Sequence, residues 1–279
     1  MTAPAATAGP PGGTESSAAR SAGRAGIRER TLRTDRWWIP PLVTAVGLAA
    51  WVLYALVRTA MQKYYWVGQY GYLTPFYSPC LTQSCAEGAA HFGRPLPKFP
   101  PLVPFGIVAL PFLLGFRLTC YYYRKAYYRA FWLSPPACAV AEPHAKYTGE
   151  TRFPLILQNI HRYFFYAAAI ISVINTYDAI EALHGAQGFR LGLGNLILIG
   201  NVVALWAYTI SCHSCRHIAG GRLKHFSKHP ARYWMWTQVS KLNARHMLLA
   251  WLTLGTLAFT DAYIALVASG AITDIRFIN

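Results

Sequence analysis

The sequence predicts an all-α integral membrane protein, a bundle of five transmembrane helices with the N-terminus cytoplasmic and the C-terminus outside. Three observations carry this. Hydrophobic residues make up 54% of the 279 and charged ones 13%, a partition suited to lipid rather than to a water-exposed globule. Five apolar runs, at 38–60, 102–122, 163–183, 193–215 and 247–271, approach or exceed the ~20 residues a helix needs to cross ~30 Å of hydrocarbon. Lys and Arg crowd the N-terminal segment and the links between the second and third and the fourth and fifth runs. The positive-inside rule puts those parts in the cytoplasm. The net charge of +16 is then accounted for without nucleic acid.

The elements follow in order. Residues 1–36 form a basic cytoplasmic segment whose Ala, Gly, Ser and Pro content over 1–26 predicts disorder, with no apolar core of a cleavable signal. Run 1 therefore serves as the insertion signal. Residues 37–271 are read as the transmembrane domain and 272–279 as a short outside tail. The runs are long and continuous, without the alternation of a membrane barrel strand. Pro104 and Pro111 are expected to kink run 2. The longest link, 62–101, is too short for a soluble domain, so any catalytic domain belongs on another chain, and no internal repeat is evident.

The six cysteines fall into two compartments. Cys80 and Cys85, in PCLTQSC of the outside loop, are expected to pair as a disulfide. Cys120, Cys138, Cys212 and Cys215 lie at or below the inner leaflet, where thiols stay reduced and free to bind metal or to pack.

A rotation of about 100° per residue sorts the helix faces. In run 4, Asn201, Ala204, Tyr208, Ser211, Cys212 and Cys215 share a small and polar stripe expected to face the bundle. Ile199, Val202, Trp206, Ile210, His213 and His217 lie opposite. His161 heads the stripe of Ala168, Ser172, Asn175 and Ala179 leading into and along run 3, and His246 heads that of Ala250, Thr253, Leu257 and Thr260 in run 5. Cys212, Cys215, His161 and His246 are thus the candidate metal ligands, with Cys120 in reserve. Zinc is disfavoured because its structural sites belong to small water-exposed domains, and SCHSCRH departs from the C-x-x-C-H of a c-type haem. His161 and His246 suit a b haem. A second, outer haem is not expected, since His91 and His184 lie in loops. The four also suit a Rieske-type two-iron centre, with Cys212 and Cys215 on one iron and the two histidines on the other.

RTLRTDRWW, YLTPFYSPC, FRLTCYYYRKAYYR, CAVAEPHAKYTGETR, LILQNIHRYFFY, SCHSCRH with GGRLKHFSKHP, and QVSKLNARHM resemble the single-polypeptide membrane anchors of succinate dehydrogenase, specifically the actinobacterial type. The resemblance implies a plasma-membrane subunit without catalytic residues or activity of its own, which anchors a flavoprotein subunit and an iron–sulfur subunit on the cytoplasmic face and reduces quinone, menaquinone or ubiquinone. Better-known five-helix anchors hold two b haems through histidines on helices 1, 2, 4 and 5. Here runs 1 and 2 contain no histidine, and Cys120 sits near the place expected for the inner-haem ligand of helix 2. The actinobacterial type implies a Rieske-type [2Fe–2S] cluster instead, with haem b as the alternative cofactor. A stand-alone membrane transporter is the alternative function.

Near the proposed cluster, Tyr208, Ser211, Arg117, Tyr121 and His217 are the candidate quinone-binding residues. Asp178, Glu181 and Asp261 are candidate proton-path carboxylates, because ionisable groups in membrane segments are costly. Arg222, Lys224, Lys228, Arg232, Lys241 and Arg245, with Trp234 and Trp236, are the expected docking surface for partner subunits or anionic lipid.

Overall fold

A computed structural model describes residues 33–140, 143, 151–153, 155–185 and 188–278. The expected disorder over 1–26 lies outside the described residues. Helix α1 (Ile39–Met61) opens with Pro40 and Pro41, at positions whose missing N–H groups have no intrahelical role. It ends where Gln62 turns left-handed. The Tyr77 hydroxyl is shared between the Arg58 and Thr59 carbonyls at 2.8 and 2.9 Å, satisfying oxygens that the helix end leaves without partners. Leu42, Val43, Val46, Leu53 and Leu56 point outward, which is burial when the solvent is lipid.

The link after α1 is a folded cap. It holds the hairpin β1 (Trp66–Val67) with β2 (Tyr72–Leu73), the Cys80–Cys85 disulfide with Cα atoms 5.9 Å apart, and a buried cluster that includes Phe76, Tyr77 and Phe105.

Run 2 does not form one helix over 102–122. A 3-10 turn at Phe105–Val108 follows Pro104, and α2 (Leu110–Leu118) takes Pro111 in its first turn, where a proline causes no break. The chain then bends at Thr119 and Cys120 and continues as α3 (Tyr121–Trp132). Helix α4 (His161–Glu181) follows a 3-10 turn at Leu155–Ile160. The hairpin of β3 (His184–Gly185) and β4 (Gly188–Phe189) leads to β5 (Leu191–Gly192) and α5 (Leu193–Ile210). Run 4 was also expected to be continuous, but it breaks at Ser211 and Cys212 before α6 (His213–Gly220). Helices α7 (Pro230–Asn243) and α8 (His246–Ala268) complete the bundle.

Among the described residues, four helical stretches are long and apolar enough to span a membrane: Ile39–Met61, Leu155–Glu181, Leu193–Ile210 and His246–Ala268. Helix α5 packs against α8 and α4, α2 against α4, and α3 along α1. The C-terminal residues are not a loose tail, because β6 (Arg276–Ile278) pairs with β5. Asp274 fixes this join by accepting from the Gly194 N–H at 2.8 Å and from the Tyr72 and Tyr263 hydroxyls at 2.8 and 2.7 Å.

Candidate functional site

The two helix breaks are two copies of one local structure. In Phe116-Arg117-Leu118-Thr119-Cys120 and Tyr208-Thr209-Ile210-Ser211-Cys212, the hydroxyl residue ends one helix in helical conformation and the cysteine, in extended conformation, caps the next. Extended backbone before a helix is ordinary N-cap geometry. The Cys212 sulfur accepts from the Ser214 N–H at 3.4 Å. An arginine follows each cysteine by four residues, Arg124 and Arg216.

The other two components, His161 and His246, are the first residues of α4 and α8. They meet the breaks in a crossed pattern. His161 Nδ1 lies 2.8 Å from Thr119 Oγ1 and its Nε2 lies 3.1 Å from Cys212 Sγ. His246 Nδ1 lies 2.6 Å from Ser211 Oγ and its Nε2 lies 3.4 Å from Cys120 Sγ. Each break thus gives its hydroxyl to one imidazole and its thiol to the other. The aromatic residue three before each hydroxyl stacks on the imidazole that hydroxyl holds: Phe116 on His161 at 5.1 Å and 6°, Tyr208 on His246 at 4.9 Å and 17°. Cys120, Cys212 and His246 are almost wholly buried.

Of the expected ligands, Cys212, His161 and His246 come together, and Cys120 joins them. Cys215 does not. The break at Cys212, whose backbone is extended, puts Cys215 in the first turn of α6, where it packs half-buried against the edge of the core cluster. The two cysteines therefore do not share one uninterrupted helix turn. The nine-residue pattern of aromatic, hydroxyl, Cys and Arg at matched spacing was the signal that would have paired Cys120 with Cys212, and it is a short internal repeat. Two thiols and two imidazoles are soft and borderline donors suited to iron–sulfur or zinc chemistry. They sit as two thiol–imidazole pairs, and among the described residues no three His, Cys, Asp or Glu side chains are gathered as for a single ion.

The site opens into a cavity of about 740 Å³ lined by Cys120, Cys212, His161, His246, Arg124, Arg162 and Arg216, among others. A second, apolar cavity of about 730 Å³ lies between α1, α2 and α3, lined by Leu48, Trp51, Leu114, Phe164 and Leu254 among others. Thr119 and Gln158 line both cavities.

The expected quinone residues are dispersed. Tyr208 and Ser211 are core residues beneath the imidazoles. Tyr121 is exposed, lines the polar cavity and carries Arg124 over its ring at 4.9 Å. His217 lies beyond both cavities, with Arg162 donating to its Nδ1 at 2.6 Å. Partial burial and then that guanidinium hold the His217 pKa below the usual imidazole value. Arg117 lines the apolar cavity. Its guanidinium lies 5.0 to 6.0 Å from the ring centres of Tyr208, Tyr123 and Trp51, and it donates to Thr253 Oγ1 at 3.2 Å.

The bundle-facing stripes headed by His161 and His246 are inward as expected, but Val202, placed on the outward stripe of run 4, is buried because α8 packs beside it. Asp261 is paired with Arg58, and Asp178 with His91 and the Ser78 hydroxyl, so neither carboxylate stands unpartnered. Glu181 is half-buried at the end of α4. On the expected docking surface, Arg222, Lys224, Lys228, Lys241, Arg245 and Trp234 are exposed. Arg232 is turned back to the carbonyls of Ile218, Ala219 and Gly221, and Trp236 lies under Arg216.

Fold and site together define a multi-pass helical membrane subunit with a buried thiol–imidazole site at one end of the bundle. The chain belongs to the family described as actinobacterial succinate dehydrogenase subunit SdhC, which matches residues 39–270. It is similar to a chain in a structure of the Mycobacterium smegmatis Sdh1 complex in the apo form, with 69% identity, a TM-score of 0.86, and 92% of this chain and 97% of that one covered. No curated protein matches it. The chain is thus a membrane subunit of succinate dehydrogenase, a multi-pass protein of the cell membrane. That membership displaces the stand-alone transporter.

Proposed function

We propose that this subunit carries electrons from the iron–sulfur subunit to quinone through a Rieske-type [2Fe–2S] centre on Cys120, Cys212, His161 and His246. It works beside the flavoprotein and iron–sulfur subunits, which dock on the cytoplasmic end. That end carries the thiol–imidazole site and the exposed Arg222, Lys224, Lys228, Lys241 and Arg245. Membrane crossing takes five passes, the second assembled from the turn at Phe105–Val108 and α2.

The observation that carries the reading is the pairing of two thiols with two imidazoles beside an apolar cavity. The donor set fits the cluster, and each imidazole has its second nitrogen held by a hydroxyl, the support usual behind a metal-bound histidine. Such a cluster, when bound, supplies one-electron transfer at a potential raised by imidazole ligation. The apolar cavity takes the quinone ring, and Thr119 and Gln158 in the shared wall bring it against the site. Arg117 presents a cation to the quinone oxygens from a setting of neutral rings and hydroxyls. The b-haem reading is weaker because each Nε2 faces a thiol.

Low-temperature electron paramagnetic resonance of the purified, reduced complex tests this. A rhombic Rieske signal is expected, abolished in Cys120→Ser and retained in Cys215→Ala. A b-haem optical band stoichiometric with this subunit, without that signal, overturns the proposal.

A further inference from the structure

We infer that Thr119 and Ser211 are positioning residues that fix both imidazoles as the Nδ1–H tautomer, making Nε2 of His161 and Nε2 of His246 the iron-binding nitrogens. The inference rests on the two-iron reading of the site and goes beyond it by assigning the ligating atom and the residues that select it.

A hydroxyl has one proton to donate. Thr119 donates its proton to the Gly115 carbonyl at 2.7 Å, and Ser211 donates its proton to the Tyr208 carbonyl at 2.8 Å. Each oxygen therefore meets its imidazole, at 2.8 and 2.6 Å, only as an acceptor. A neutral imidazole carries one N–H, and the contact places it on Nδ1. The bare lone pair is left on Nε2, and both Nε2 atoms face thiols. Reversing Ser211 would take from the buried Tyr208 carbonyl its hydroxyl partner, and reversing Thr119 would leave the Gly115 carbonyl only the Thr119 N–H at 3.0 Å.

The stacked rings of Phe116 and Tyr208 fix the imidazole planes, and the contacts at Nδ1 and Nε2 fix which edge of each ring meets the hydroxyl and which the thiol. The same arrangement arises twice from separate parts of the chain. Metal binding requires deprotonated thiols and unprotonated ring nitrogens. Loss of the two thiol protons then exposes four donor atoms with no change of tautomer. Thr119 and Ser211 also sit one residue before Cys120 and Cys212, so each break positions a thiol for one histidine and a tautomer for the other.

The whole complex, prepared with histidine labelled with ¹⁵N at Nε2 only or at Nδ1 only, is reduced and read by pulsed electron paramagnetic resonance for iron-bound nitrogen. Strong ¹⁵N coupling is expected from the Nε2 label and none of that strength from the Nδ1 label. Strong coupling from the Nδ1 label overturns the inference and leaves the two-iron reading standing. Absence of any iron-bound nitrogen under either label overturns that reading and the inference with it. In Thr119→Val, one of the two strong couplings is expected to be lost or split, and Thr119→Ser is expected to restore it. An unchanged spectrum in Thr119→Val overturns the positioning role.

Discussion

Asp261, fully buried in α8, accepts from Arg58 Nε and from the Tyr54 hydroxyl, both at 2.6 Å. The pair ties α1 to α8 on an apolar background. Removing one member of a buried ion pair leaves the other charge uncompensated, at a cost of ~3–5 kcal/mol, whereas exchanging both for apolar residues is far milder. Asp261→Ala should therefore lower the thermal unfolding temperature of the solubilised complex markedly, and Arg58→Met with Asp261→Leu should recover much of the loss. If the single and double variants unfold alike, the pair contributes little. The presence of a costly carboxylate in run 5 was legible in the sequence, but its partner was not. Arg58 and Asp261 are 203 residues apart, and nothing local joins them.

At the scale of elements, the helix breaks at Thr119–Cys120 and Ser211–Cys212 create the site. The apolar runs that contain them were legible from composition. Their discontinuity was not, because hydropathy reads the same through a bend. Helical phase carried over the break placed Cys215 with Cys212; the extended backbone of Cys212 itself turns the two apart. Close approach matters equally at Gly115 of α2. A Cβ there would run into the ring of Phe164, which also lines the apolar cavity. Gly115→Ala should push that ring toward the cavity and raise the quinone concentration needed for half-maximal succinate:quinone turnover several-fold. Turnover with a soluble dye accepting electrons from the other subunits should stay the same. Unaltered quinone kinetics would place the quinone elsewhere.

Across the whole molecule, the end opposite the site is closed by the C-terminal strand. Burial alone would raise the Asp274 pKa, but hydrogen bonds from Tyr263, Tyr72, Gly194 and Arg276 outweigh it, and the net shift is downward from 3.8. A depressed carboxyl pKa gives stability that is fully present above the ordinary value and is lost as pH falls through the lower folded-state value. Protection of the amides at 275–278, taken as the unstructured-chain exchange rate over the observed rate at the same pH, should therefore fall only below about pH 4, and Asp274→Asn should show less protection at neutral pH with that acid dependence gone. Wild-type protection that stays flat through the acid range would rule out Asp274 as the clasp. Residue order alone tells that this chain lives in a membrane as a bundle of apolar helices, that it belongs with succinate dehydrogenase anchors, and that thiols and imidazoles lie near one end. Run length and residue type suffice for that, since both are local. Which thiols meet which imidazoles, which nitrogen faces sulfur, and which carboxylates are neutralised were decided only by the tertiary structure. Those are contacts between residues 42 to 203 positions apart, set by helix breaks and packing that no local pattern specifies.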